Sequence, residues 1–257
     1  MDKKVREHWS PVARWSLRLA IVSTLVLIYA VFLHRYEFIT SPAAFALIAG
    51  GCSIAFVALA LGIFAMLSTW VRVQRGLRHA LSGSILSILI LAYPVSLIGP
   101  GVLLPAIHDI STDLDNPPDF TAAHAGRPDW ANSMEHPGGE SALADAQRAS
   151  YPQVTPLFLE MQTDEAFDLA MKVIQDLGWR VVGVEEPPRP GAPGQVEALA
   201  YTKLLAFAND VAIRVTEVPG GTLFDVRSIS RYGKSDLGDN ANRIIDIIQR
   251  IEDLENR

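Results

Sequence analysis

Three long stretches without Asp, Glu, Lys or Arg decide what this chain can fold into. Sixteen residues separate Arg18 from Arg35, residues 38–71 make an uncharged run of 34, and residues 79–108 make one of 30. A helix rising ~1.5 Å per residue needs about 20 residues to cross the hydrocarbon of a bilayer. The second and third runs exceed that length, and the first reaches it if Arg18 and Arg35 snorkel to the interfaces. The expectation is three transmembrane helices over about 17–34, 42–70 and 80–104, forming a membrane anchor from residue 1 to 105. The first reads as an uncleaved anchor, because the charged leader is long and no small-x-small cleavage site follows Leu33.

Charged residues inside a membrane usually mark an ion path or proton relay, and these runs contain none, which disfavours a transporter or pump. The small residues Ala46, Ala49, Gly50 and Gly51 suit close helix approach. Pro94, Gly99, Pro100 and Gly101 read as a kink or the end of the third span. Cys52, the single cysteine, sits in the second run, so the chain has no intramolecular disulfide and no cysteine-based metal cluster.

Charge divides the chain in two. Residues 1–105 carry 9 Lys+Arg against 3 Asp+Glu, whereas residues 106–257 carry 13 against 25, within a total of −6. An acidic domain gains nothing near a polyanion, so nucleic acid is excluded as a partner. Lys3, Lys4, Arg6, Arg14 and Arg18 precede the first run, and Arg72, Arg75 and Arg78 lie between the second and third. Only Arg35 lies between the first and second. The positive-inside rule then puts the N-terminus in the cytoplasm and everything after the third span outside, the periplasm for a multi-pass protein of a bacterial inner membrane.

Residues 106–150 are rich in Asp, Pro, Gly and Ala and read as an extended linker or arm. Asp109, Asp113, Asp115 and Asp119 invite a calcium loop but lack the central Gly and terminal Glu of an EF-hand. His124 and His136 match no compact zinc spacing. No metal or cofactor is expected.

From 151 to 257 the pattern is that of a soluble domain. TPLFLEM (155–161) predicts a strand, and Thr163 caps a helix over 164–177 with Phe167, Ala170, Met171 and Ile174 at helical spacing. WRVVGVEE (179–186), QVEALAYTKL, NDVAIRVTEV and TLFDVRSIS predict four more strands, the last two joined by a Pro-Gly-Gly hairpin. A final helix over 237–255 carries the stripe Ile244, Ile247, Ile248, Ile251 and Leu254. The order βαββββα predicts an α+β fold, an antiparallel-dominated sheet with helices on one face.

The stretches HDISTDLDNPPDF, YP at Tyr151, GW at Gly178, VEALAYTKLLAFANDVAIRV and FDVRSISRYGKSDLGDNANRI resemble the bacterial and plastid family known as domain of unknown function 1499. The likeness covers roughly residues 107–250. It implies that the arm from His108 packs on the domain and that the domain is extracytoplasmic, and it implies no activity. The family pattern has paired aspartates where this chain has Asn209 followed by Asp210.

RSISRYGKSDLGDN gathers Arg227, Ser228, Ser230, Arg231, Lys234, Ser235 and Asn240 between a strand end and a helix start, where backbone N–H groups and cationic side chains suit an anion. The competing reading is internal pairing. Period-two alternation puts Asp210, Arg214, Asp225 and Arg227 on one sheet face as a cross-strand charge network, with Asp236 serving as a helix cap. No catalytic residue is assigned, since no histidine follows residue 150 to act as a base for a serine. The expected role is a membrane-anchored extracytoplasmic binding or scaffolding module whose partner is an envelope protein or an anionic lipid headgroup. The alternative is an envelope-modifying hydrolase or transferase using Asp210 and Asp225.

Overall fold

The computed structural model describes residues 9–72, 75–101, 103–136, 138–189 and 191–256. The chain divides into two compact units, residues 1–99 and 100–257.

The first unit is built from α1 (Pro11–Arg35), α2 (Ser41–Arg72) and all but the last two residues of α3 (Leu77–Gly101). All three have the length and apolarity to cross a membrane, and so to anchor the chain in one. α1 starts ahead of the apolar run because Ser10 caps it, its Oγ accepting from the Ala13 N–H at 3.3 Å, with Pro11 in the first turn. α3 runs through Pro94 and ends at Gly101. Close approach occurs at Gly51, Gly62 and Gly83. A Cβ on Gly51 would lie 2.7 Å from Leu27, one on Gly62 2.2 Å from the Ser84 hydroxyl, and one on Gly83 2.4 Å from the Ser16 hydroxyl. Ala46, Ala49 and Gly50, expected at the packing seam, are exposed instead. Hydroxyls stitch the first two helices, Ser16 donating to Ala58 O and Ser23 to Gly51 O, each at 2.8 Å. Such bonds gain weight where lipid offers the backbone no alternative partner.

In the second unit the expected order βαββββα appears as β2 (Leu157–Leu159), α5 (Thr163–Asp176), β3 (Arg180–Glu185), β4 (Gly194–Tyr201), β5 (Ala208–Val218), β6 (Gly221–Ser230) and α6 (Asp239–Glu255). The residues read as an arm supply β1 (Asp109–Ser111), a 3-10 turn (Ala123–Gly126) and α4 (Ala142–Ser150). The sheet runs β1-β6-β5-β4-β3, with β2 also on β6, and every pairing is antiparallel. Val218 pairs with Gly221, so Pro219 and Gly220 make a two-residue hairpin turn that needs the positive φ of 92° found at Gly220. Thr163 is the first helical residue of α5, and Gln162 holds the cap position. β4 stops at Tyr201, where Thr202 closes a turn: its N–H donates to Phe207 O, and its hydroxyl accepts from the Phe207 N–H, both at 2.9 Å.

Alternation along the strands gives the sheet two different faces. Val196, Ala198, Val211, Ile213, Val215, Phe224 and Val226 point to α5 and α6, where they meet Ala166, Phe167, Val173, Ile174, Ile244, Ile247 and Ile251 in one buried core. Each fully buried aliphatic of this kind contributes about 1.5–3 kcal/mol. The opposite face is covered by the arm, and its apolar part is small: Phe120, Ala123 and Met134 over Ala212 and Ile229.

Candidate functional site

The arm-covered face holds a concentration of buried charge, because the same alternation that sends Val211 and Val226 to the helices sends Glu197, Asp210, Arg214, Asp225 and Arg227 the other way. Arg227 is fully buried. Its Nε and Nη2 grip the Asp109 carboxylate at 3.0 and 2.7 Å, and its remaining N–H groups donate to Pro118 O at 3.1 Å and Met134 O at 2.6 Å. The guanidinium carbon sits 5.1 Å from the centre of the Phe120 ring.

Arg231 holds Asp210 through Nε at 3.0 Å and Nη2 at 2.7 Å, and donates to Gly126 O at 3.1 Å. Arg127, from the arm, pairs with the same carboxylate and donates to Asn132 O. Arg214 bridges Asp225 at 2.9 Å, Asp113 at 3.4 Å and Asn116 O at 2.8 Å. Burial pushes the Asp225 carboxyl above the ordinary aspartate range, against the opposing pull of Arg214.

Glu197 works in the opposite sense, as an acceptor for the arm's donors. Its oxygens take the Thr121 N–H and hydroxyl, both at 2.7 Å, the Ala122 N–H at 3.2 Å and the Ala123 N–H at 2.8 Å. These amides open the 3-10 turn, a natural seat for a carboxylate. Burial alone would raise its pKa, but the hydrogen bonds outweigh it and hold the group below the ordinary glutamate value. Arginines thus bind arm carbonyls while a glutamate binds arm amides, and the polar backbone of an irregular segment is satisfied by side chains of the sheet.

The seven residues singled out as an anion site do not converge. Arg227 and Arg231 lie on the arm face, committed as described. Ser228, Ser230 and Asn240 lie on the helix side, buried: Ser228 Oγ donates to Asn240 Oδ1 at 2.7 Å, and Asn240 Nδ2 donates to Ser230 Oγ and His108 O, both at 2.9 Å. Ser230 donates in turn to Asn209 Oδ1 at 2.7 Å, while Asn209 Nδ2 donates to Phe207 O at 3.1 Å, a pair of roles an aspartate could not fill. Lys234 is exposed, and Ser235 accepts from the Leu237 N–H at 3.3 Å. Asp236 lies apart from the charge network. It caps α6 by accepting from Gly238 N–H at 2.9 Å and Asn240 N–H at 2.8 Å, and burial raises its pKa against those bonds.

Asp210 and Asp225 share a face but not a site, since Asp210 pairs opposite Ile229 and Asp225 opposite Arg214, four positions apart on each strand. Asp113 accepts from Asp115 N–H at 3.0 Å and Asn116 N–H at 2.9 Å and so shapes its own turn. Among the described residues no group of three His, Cys, Asp or Glu side chains is disposed to hold a metal ion. An open cleft of about 540 Å³ lies at the β5–β6 hairpin end, where Glu160, Glu165 and Glu217 give it an acidic lining.

A family profile described as a protein of unknown function (DUF1499) matches residues 109–251, more than half of the chain. The chain belongs to the DUF1499 family. No curated protein matches it. The DUF1499 match begins at Asp109, the carboxylate that Arg227 grips, and therefore includes all but the first three residues of the arm. Alternation puts Asp210, Arg214, Asp225 and Arg227 on this face, but of the four only Arg214 and Asp225 pair with each other; Asp210 takes Arg127 and Arg231, Arg227 takes Asp109, and Glu197 holds the arm's amides, partners that alternation does not reveal. A usable signal existed for Glu197, a lone charge inside the apolar run VEALAY.

Proposed function

We propose that this DUF1499 protein is a membrane-anchored extracytoplasmic binding or scaffolding module rather than an enzyme. The observation that carries this reading is the commitment of the buried guanidiniums of Arg227 and Arg231 to protein acceptors, with the arm laid over them. Candidate general acids and bases are covered: Asp210 and Asp225 are buried and do not converge. A hydrolase or transferase built on these two carboxylates therefore has little support. The partner is an envelope protein or an anionic headgroup, and of the original anion-site residues Lys234 and Ser235 are the ones accessible to it.

The distribution of basic residues supports a cytoplasmic N-terminus and a C-terminal unit in the periplasm of a bacterium with an inner membrane. A periplasm-active reporter fused after residue 257 should be active, and one fused after Gly76 should not. The reverse pattern would overturn the orientation. Crosslinking in native membranes followed by identification of lipid and protein adducts tests the binding role, and turnover of envelope substrates by purified protein would replace it with a catalytic one.

A further inference from the structure

The end of the sheet at which the chain arrives from α3 carries an unusual surface. Only residues 102–108 separate Gly101 from Asp109, a tether of at most about 25 Å at ~3.5 Å per residue. Asp109 pairs with Ile229, and Ile229 with Asp210. Beyond that rung lie the β4–β5 turn, residues 202–207, and the segment leaving β6, joined by the Arg231 N–H donating to Ala208 O at 3.1 Å. The turn exposes apolar surface: Leu204 within it is 49% exposed, and Tyr201, the last residue of β4, 39%. It is also rigid, held by both backbone and hydroxyl of Thr202 and by the Ala206 N–H donating to Thr202 O at 3.0 Å. Lys203 stands beside Leu204, and Lys234 on the neighbouring segment; both are exposed. The chain after residue 106 has three lysines, Lys172, Lys203 and Lys234. Two of the three therefore lie at this one end of a unit whose net charge is negative. Trp130 and Tyr232 meet edge to face there, their ring centres 6.1 Å apart.

We propose that this end of the sheet is a bilayer-docking surface, with Tyr201 and Leu204 entering the interfacial zone and Lys203 and Lys234 meeting anionic headgroups. The tether keeps the surface within reach of the membrane, and aromatic, aliphatic and basic side chains are the combination that the headgroup region favours. A rigid tip loses little conformational freedom on insertion. The surface rests on membrane anchorage alone and serves either orientation of the spans, so its failure would leave the extracytoplasmic reading standing.

Depth-dependent quenching tests it in the full chain. With Cys52→Ala as background, Leu204→Cys and, as control, Phe158→Cys carry an environment-sensitive fluorophore. Phe158 is matched in exposure at 45%, but pairs with Leu223, about 23 Å along β6 from Ser230 at ~3.3 Å per residue. In phosphatidylcholine–phosphatidylglycerol vesicles with shallow spin-labelled lipid, the label at 204 should be quenched several-fold more than that at 158, and Lys203→Glu with Lys234→Glu should abolish the difference. Equal quenching at both sites, or none at 204, would overturn the proposal. Quenching at 204 that is unchanged in phosphatidylcholine alone would overturn the role of the lysines. Protection of 204 from aqueous iodide in native membranes but not in vesicles would assign the surface to a protein and likewise overturn it.

Discussion

Arg227 on β6 and Asp109 on β1 form a two-point ion pair, at 3.0 and 2.7 Å, across 118 residues of sequence. The arginine is fully buried, and the pair joins the first strand after the apolar helices, at the sheet edge, to the strand beside it. Replacing the planar fork with a point charge leaves Asp109 half-paired and strands the carbonyls of Pro118 and Met134. Arg227→Lys should therefore destabilise the second unit by ~1–3 kcal/mol, and Asp109→Ala, which leaves a buried cation unpaired, by ~3–5 kcal/mol. Thermal melting of the detergent-solubilised full chain checks both. Equal melting points for parent and variants would show that the pair is not buried in solution.

Asp210 serves two guanidiniums, those of Arg127 and Arg231. Asp210→Asn removes the counter-charge from both, and a loss of ~3–5 kcal/mol is expected. Adding Arg127→Met relieves half of the excess charge and should recover part of the loss, a coupling that a double-mutant cycle would read directly.

Glu197 and Asp236 should give opposite pH dependences. The native pKa of Glu197 lies below its unfolded value of ~4.3, so its contribution is complete above that pH and is lost as pH falls through the native value. Glu197→Gln should lower stability by ~1–3 kcal/mol at neutral pH, with faster amide exchange at Thr121, Ala122 and Ala123, and the gap to the parent should close in acid. Asp236 has a native pKa raised by burial. Its proton is bound more tightly in the folded chain, so stability from this group is present at low pH and declines as pH rises from ~3.9 through the raised value. Asp236→Asn should flatten that decline, which melting curves across the acid range would reveal.

In the membrane unit, Gly83→Ala would set a Cβ 2.4 Å from Ser16 Oγ and 2.8 Å from the Leu17 backbone nitrogen, whereas Gly50→Ala meets nothing within 4 Å. The first should cost ~1–3 kcal/mol through overpacking, and the second should leave the melting point unchanged. Equal effects would mean that α3 does not approach α1 as closely as described.

The spans were legible because uncharged length is a one-dimensional property, and α6 because Ile244, Ile247 and Ile251 recur on one helical face. The β5–β6 hairpin was legible from Pro219 and Gly220. The packing of the arm came from the family resemblance and not from its residue pattern, because much of what fixes it is backbone: carbonyls of Pro118, Gly126, Asn132 and Met134, and amides of Thr121 to Ala123, none of which leaves a mark on residue type. Its β1 has only three residues, too few to display alternation. The contiguous RSISR motif divides in the fold for a related reason. Its five residues look like one cluster in sequence, yet the pleat sends Arg227, Ile229 and Arg231 to one side of the sheet and Ser228 and Ser230 to the other.

Asp109 is also where any tension along the connection from the apolar helices enters the sheet. β1 is an edge strand with three paired residues, and an edge strand pulled from one end unzips rung by rung. Here the rung of Asp109 opposite Ile229 is stapled by a buried ion pair, preceded by His108, whose O accepts from the Ser230 N–H at 2.9 Å, and followed by Thr112, whose N–H donates to Val226 O and whose hydroxyl accepts from the Val226 N–H, both at 2.9 Å. A clutch is the nearest mechanical analogue: a pull along the chain should reach β6, the strand inside the edge, rather than be spent in peeling β1 away.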